Sequence, residues 1–106
     1  MIGAYRSTSS GMLQSTRTYV SELLRGNSYL SQRNDLSRTR VGGREAYTTT
    51  LSGRSPVTGR DEVVTVYTVQ LRSGNLLTIA AVSAEADMYR YNTAFRNIIN
   101  SIQLMD

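Results

Sequence analysis

The segment Glu62–Leu71, EVVTVYTVQL, followed after Ser73-Gly74-Asn75 by Leu76–Ala84, LLTIAAVSA, limits the fold more than any other stretch of the chain. β-Branched and aromatic residues fill the first run, and both runs have strand length. The pair reads as a β-hairpin with Gly74-Asn75 as a two-residue turn. An even loop places odd positions of the first strand on the face of even positions of the second. One face then carries Val63, Tyr67, Val69, Leu71, Leu76, Ala80 and Val82. The other carries Val64, Val66, Leu77, Ile79 and Ala81, diluted by Thr68, Gln70 and Arg72. A sheet with one wet face alternates more cleanly than this. Something must cover the second face, at least in part.

Two amphipathic helices supply the cover. Met12, Leu13, Thr16, Tyr19, Val20, Leu23 and Leu24 recur at three- and four-residue spacing, which predicts a helix over Gly11–Arg25. Ser9 or Ser10 serves as its N-cap and Gly26-Asn27 as its stop. Near the other end Met88, Tyr91, Phe95, Ile98, Ile99 and Ile102 form a second stripe. Ser83 is the expected N-cap there, with Glu85 and Asp87 in a first turn where the helix dipole favours negative charge. Between these, Arg38–Val41 and Glu45–Leu51 flank Gly42-Gly43, a dipeptide suited to the left-handed backbone of a tight hairpin. Tyr47, Thr49 and Leu51 face one way, and Ala46, Thr48 and Thr50 the other. Met1–Arg6 is short, apolar and aromatic enough to be a strand, while Ser31–Arg40 is polar and charged and reads as a connecting loop. The expected fold is α+β: an antiparallel sheet of about four to five strands flanked by two amphipathic helices, an α/β/α sandwich. Helices on opposite faces fit best; the alternative packs both on one face and leaves the other to a partner.

The 106 residues argue for a single domain spanning 1–106. The opening MIGAYRS lacks the long apolar segment of a signal peptide and reads like protein interior, which suits a fragment or C-terminal domain of a larger protein. No apolar run approaches the ~20 residues of a membrane span.

Three residue types are missing altogether: Cys, His and Lys. Without Cys there is no disulfide framework and no thiolate metal site. Without His, zinc would have to accept an all-carboxylate site, and the usual general base near neutral pH is gone. Without Lys, neither Schiff-base chemistry nor a P-loop ammonium is available. Carboxylates, Tyr, Ser, Thr and Arg remain. Asp61-Glu62 is an adjacent acid pair, but neighbours in a strand point to opposite faces and do not converge. The other acids are scattered singly, with no spacing for calcium or for paired acid/base work.

All twelve basic residues are Arg, and the net charge is +4. Arg reads phosphate bidentately, so a stand-alone anion or nucleic-acid binding module is the alternative function. It needs the arginines gathered on one face. Along the sequence they are dispersed (6, 17, 25, 33, 38, 40, 44, 54, 60, 72, 90, 96), with a loose cluster at Arg38, Arg40 and Arg44. Seven tyrosines suggest a stacking platform. Yet Tyr19, Tyr67, Tyr91 and Tyr47 fall on faces expected to be buried, where packing with the hydroxyl at the rim explains them. SGRSPVTGR, Ser52–Arg60, holds the one proline and has neither a P-loop lysine nor a helix starting directly after it. Its Arg54, Ser55, Thr58 and Arg60 nonetheless make it the most polar exposed loop, and the first choice for an interaction surface.

From Val41 onward the sequence resembles the C-terminal region of bacterial zinc metallopeptidases related to the HtpX type. The carriers are Gly-Arg-x-Ala-Tyr (Gly43–Tyr47), Ser-Pro-x-Thr-Gly-Arg-x-Glu (Ser55–Glu62), a hairpin with Arg-x-Gly, and Phe95-x-x-Ile98-Ile99-x-Ser101-Ile102. YVSELLRGNSYL, Tyr19–Leu30, looks like the helix preceding that region. The strand order and closing helix also resemble the PsbP-like fold. The family's HExxH motif needs two histidines for zinc and a glutamate as base, and this chain has no histidine. The resemblance therefore implies a non-catalytic accessory domain, binding or structural. Zinc and catalytic residues would lie in the parent protein, no cofactor in this chain, and the parent would be extracytoplasmic (periplasmic or secreted). Expected partners are the parent's own catalytic domain or another protein, with a homodimer through a sheet edge or apolar face as a further route.

Overall fold

The computed structural model describes residues 2–5, 11–72 and 74–102. Six strands form one antiparallel sheet: β1 (Ile2–Tyr5), β2 (Ser31–Gln32), β3 (Ser37–Val41), β4 (Arg44–Arg54), β5 (Asp61–Gln70) and β6 (Leu76–Ala84). The order is β1-β6-β5-β4, with β2 and β3 sharing the outer edge of β4. The sheet is thus five positions wide. Helix α1 (Met12–Gly26) covers one face and α2 (Met88–Ser101) the other. The chain is the expected α+β fold, with helices on opposite faces.

Each face has its own core. Under α1, Val20 and Leu30 pack with Leu51, Val64, Val66 and Ala80, flanked by Tyr19, Leu23 and Tyr29. Under α2, Ile99 packs with Val41, Ala46, Val69 and Ile79, flanked by Tyr67, Leu77 and Phe95. The Phe95 ring meets Tyr67 edge-on, with centroids 5.7 Å apart. Tyr47, Thr49 and Leu51 share the α1 side, as the alternation in β4 requires.

The β5–β6 hairpin corrects the expected faces. Leu71 N–H donates to the Asn75 carbonyl (2.8 Å), so three residues, 72–74, form the loop. Gly74 takes the left-handed backbone that such loops use (φ 92°). An odd loop keeps parity, and Tyr67 pairs with Ile79 while Val66 pairs with Ala80. The faces are therefore Tyr67, Val69, Leu77 and Ile79 toward α2, and Val64, Val66, Ala80 and Val82 toward α1. Counting one residue too few in the turn exchanged the faces of β6. The Gly42-Gly43 turn behaves as expected: Val41 pairs with Arg44, and both glycines have positive φ (59° and 81°).

The helix starts also differ. Gly11 occupies the α1 N-cap, so the cap expected of Ser9 or Ser10, which lie outside the described residues, falls to glycine. At the other helix, β6 continues through Ser83 and Ala84 because they pair with Val63 and Glu62. A 3₁₀ turn, Glu85–Asp87, then leads into α2, and Asp87 rather than Ser83 stands at the N-cap. Part of the expected connection 31–40 is strand, since Ser31 and Gln32 pair with Ser52 and Leu51. Arg33 N–H still donates to the Thr50 carbonyl (2.8 Å), and the chain then leaves the ladder until Ser37. Asn34 compensates there: its Oδ1 accepts the Thr50 N–H (3.0 Å) that a regular edge strand would have bonded.

Candidate functional site

β1 pairs with Leu76–Ile79 on the outer edge of β6, Ile2 facing Ile79. Ala81–Ala84 pair with Glu62–Thr65 of β5. The same stretch floors a cleft. Beyond the 3₁₀ turn, α2 anchors its C-terminal half through Phe95, Ile99 and Ile102. Between Tyr91, Phe95 and Ile98 on the helix and Thr65, Ala81 and Ser83 on the sheet lies a space of about 270 Å³, with Val82 at its lip.

Two large apolar side chains of α2 stand exposed beside this space, Ile98 at 54% and Tyr91 at 52%, while the Val82 side chain, 62% exposed, turns to the α1 face. The volume lies just below the ~300 Å³ of small-molecule pockets.

Sequence reasoning placed these residues in the core. Tyr91 and Ile98 belonged to the α2 stripe, and Val82 to an apolar sheet face. The stripe did carry a signal. Ile98 and Ile99 are ~100° apart on a helix, so both cannot point squarely at one sheet. The structure buries Ile99 and leaves Ile98 outside.

At the Ala84 end the cleft adjoins a polar groove lined by Arg54, Arg60, Asp61, Glu85 and Asp87. Here lies the loop expected to make contacts. Arg54 and Asp61 face each other across the β4–β5 ladder, Nε to Oδ1 3.3 Å, an exposed pair that contributes little to stability. Thr58 and Arg60 are exposed. Ser55 is turned inward, 4% exposed, and its Oγ accepts the N–H groups of Val57 and Thr58 (3.2 and 3.3 Å). Ser55 thus shapes the loop and offers no exposed surface, which leaves Arg54, Thr58 and Arg60 as its outward side chains.

Among the described residues the arginines are spread over both helices and the sheet. Arg17 and Arg25 ride on α1, Arg38 and Arg40 on β3, and Arg90 and Arg96 on α2, all exposed. Arg33 is paired with Glu85 (2.6 Å). Among the described residues no three His, Cys, Asp or Glu side chains come together as a metal site would need. The pKa of Tyr29 is raised, by burial and then by the Glu62 carboxylate that its hydroxyl donates to (3.1 Å). Tyr29 sits in the α1 core, on the face opposite the cleft. No described helix is long and apolar enough to cross a membrane.

No protein-family model matches the chain, and no curated protein matches it.

Proposed function

We propose that this chain is a non-catalytic accessory domain that binds a polypeptide partner in the cleft between α2 and β6. The observation that carries the reading is the pair of exposed apolar side chains, Tyr91 and Ile98, beside one apolar concavity. The absence of His, Cys and Lys from the sequence supports binding over catalysis. The larger context is proposed from the resemblance alone: a PsbP-like domain of an extracytoplasmic zinc metallopeptidase, with zinc and the HExxH helix in the parent's catalytic domain. The partner is then that catalytic domain or a protein it acts on.

The test uses the purified chain and unfolded, carboxymethylated casein as the probe. Casein should bind, and Ile98→Asp, which puts a charge into the apolar cleft, should weaken binding about tenfold or more. With zinc added, no peptide-bond cleavage should appear. Cleavage by the chain alone, or binding indifferent to Ile98→Asp, refutes the reading. The parent assignment is decided separately, by whether the native reading frame encodes an HExxH segment.

A further inference from the structure

Resting on that reading, we propose that the side chain the cleft takes from its polypeptide partner is a tyrosine. Its ring packs against Tyr91, Phe95 and Ile98 of α2, and its uncharged hydroxyl bonds to Thr65 and Ser83 on the sheet.

The cleft is not apolar throughout. Thr65 and Ser83 line it from the sheet, and Asn92 lines it from α2. Thr65 has the parity of Tyr67 along β5, and Ser83 pairs with Val63 of that same parity, so both side chains stand on the α2 side. Thr65 lies on an inner strand, paired with Thr50 on one side and Ala81 on the other, which fixes its place. Among the described residues, neither hydroxyl and no atom of the Asn92 side-chain amide has a hydrogen-bond partner. Other threonines of the sheet do bond to the protein: Thr48 donates to the Val66 carbonyl, Thr49 to the Asn34 carbonyl, and Thr68 meets Thr16.

This lining selects the chemistry of what enters. A purely apolar side chain would displace water from the two hydroxyls and give them nothing in return. A charged one would find no opposite charge, since no Arg, Asp or Glu lines the space among the described residues. A short polar one would leave the apolar wall of α2 in water. Tyrosine meets both demands, with a ring that buries a large apolar area and a hydroxyl that donates and accepts. The wall itself is aromatic: Tyr91 is half exposed, and Phe95 stands edge-on to Tyr67 with centroids 5.7 Å apart. Rings pack well against such faces and edges.

The experiment titrates blocked pentapeptides into the isotope-labelled chain, with tyrosine, phenylalanine, leucine or glutamate at the centre and glycine and serine around it. Amide shifts should concentrate at Thr65, Ser83 and along Tyr91–Ile98. The tyrosine peptide should bind about fivefold or more tightly than the phenylalanine peptide, and the glutamate peptide should bind weakest. Thr65→Val keeps the shape of the side chain and removes its hydroxyl. It should erase most of the difference between tyrosine and phenylalanine while leaving the phenylalanine affinity in place, whereas general damage to the cleft would weaken both alike. Phenylalanine, leucine or glutamate binding as tightly as tyrosine overturns the proposal. So does a tyrosine preference that survives both Thr65→Val and Ser83→Ala. A methyl hexoside that shifts these amides when the tyrosine peptide does not assigns the cleft to a saccharide and also overturns it. If the tyrosine peptide fails to bind while casein still binds through Ile98, the tyrosine proposal falls and the accessory-domain reading stands. If casein binding fails as well, both fall.

Discussion

The hydroxyl oxygens of Thr16 and Thr68 lie 2.7 Å apart between α1 and β5, both residues almost fully buried. Thr16 spends its single proton on the Met12 carbonyl (2.8 Å), so Thr68 must be the donor to Thr16. The pair is a chain with a direction: sheet to helix side chain to helix backbone. Small hydroxyl side chains at Ser15 and Thr16 also let the first turns of α1 approach the sheet closely, while Leu13, expected in the stripe, stays outside at 41% exposure.

That direction makes the two single substitutions unequal. Thr16→Val strands the buried Thr68 hydroxyl and should cost about 1–3 kcal/mol. Thr68→Val leaves Thr16 bonded to Met12 and should cost less. The double variant should be more stable than Thr16→Val alone, because no polar group is then left unpaired. Urea unfolding of all four proteins measures this, and a Thr68→Val variant as weak as Thr16→Val contradicts the assigned direction.

Gly53 is needed for a different reason from the turn glycines. Its backbone lies directly against the Tyr29 carbonyl, and a Cβ at position 53 would collide with that oxygen and come within 3.2 Å of the Leu30 Cα. The obstacle is backbone and cannot rotate away. Gly53→Ala should therefore destabilise by about 3 kcal/mol or more, read as a lowered urea midpoint. Gly26→Ala, where a Cβ meets nothing within 4 Å, should be tolerated.

Tyr29 predicts the alkaline behaviour. Its hydroxyl pKa is raised above 10.0 in the folded chain, first by burial and then by Glu62. A phenol that holds its proton more tightly when folded contributes stability that is fully present below its unfolded value of about 10. That contribution is lost as pH climbs from there through the folded value. Tyr29→Phe should remove this part of the pH dependence, so the stability gap between wild type and variant should narrow above about pH 10. Unfolding curves recorded on both sides of that pH decide it; a constant gap contradicts the account.

The loop 55–60 separates shape from contact. Ser55→Ala leaves the Val57 and Thr58 N–H groups without their acceptor and should cost about 1 kcal/mol. Arg60→Ala, at an exposed side chain, should stay within about 0.5 kcal/mol. If the loop has a binding role, Arg60→Ala should change affinity at unchanged stability.

Much of the architecture was legible because local signals are written in single residues. Gly42-Gly43 admits a backbone few other residues adopt, so its turn and the register of Val41 with Arg44 follow directly. The periodicities of 2 and 3.6 located β4, β5, β6 and both helices to within a few residues. The absence of His, Cys and Lys bounded the chemistry before any coordinates existed. The candidate site was not legible in this way. Whether Tyr91 and Ile98 are core or surface depends on how far α2 covers the sheet, which is a relation between distant segments. Parity in β6 turned on a single residue in the loop at 72–74, and Ser83 was claimed by its pairing with Val63 rather than by its capping propensity. The sequence by itself determined which residues form strands and helices, since backbone preference and periodicity are local. Only the tertiary structure decided which apolar residues go unburied, because burial belongs to the partner surface and not to the residue.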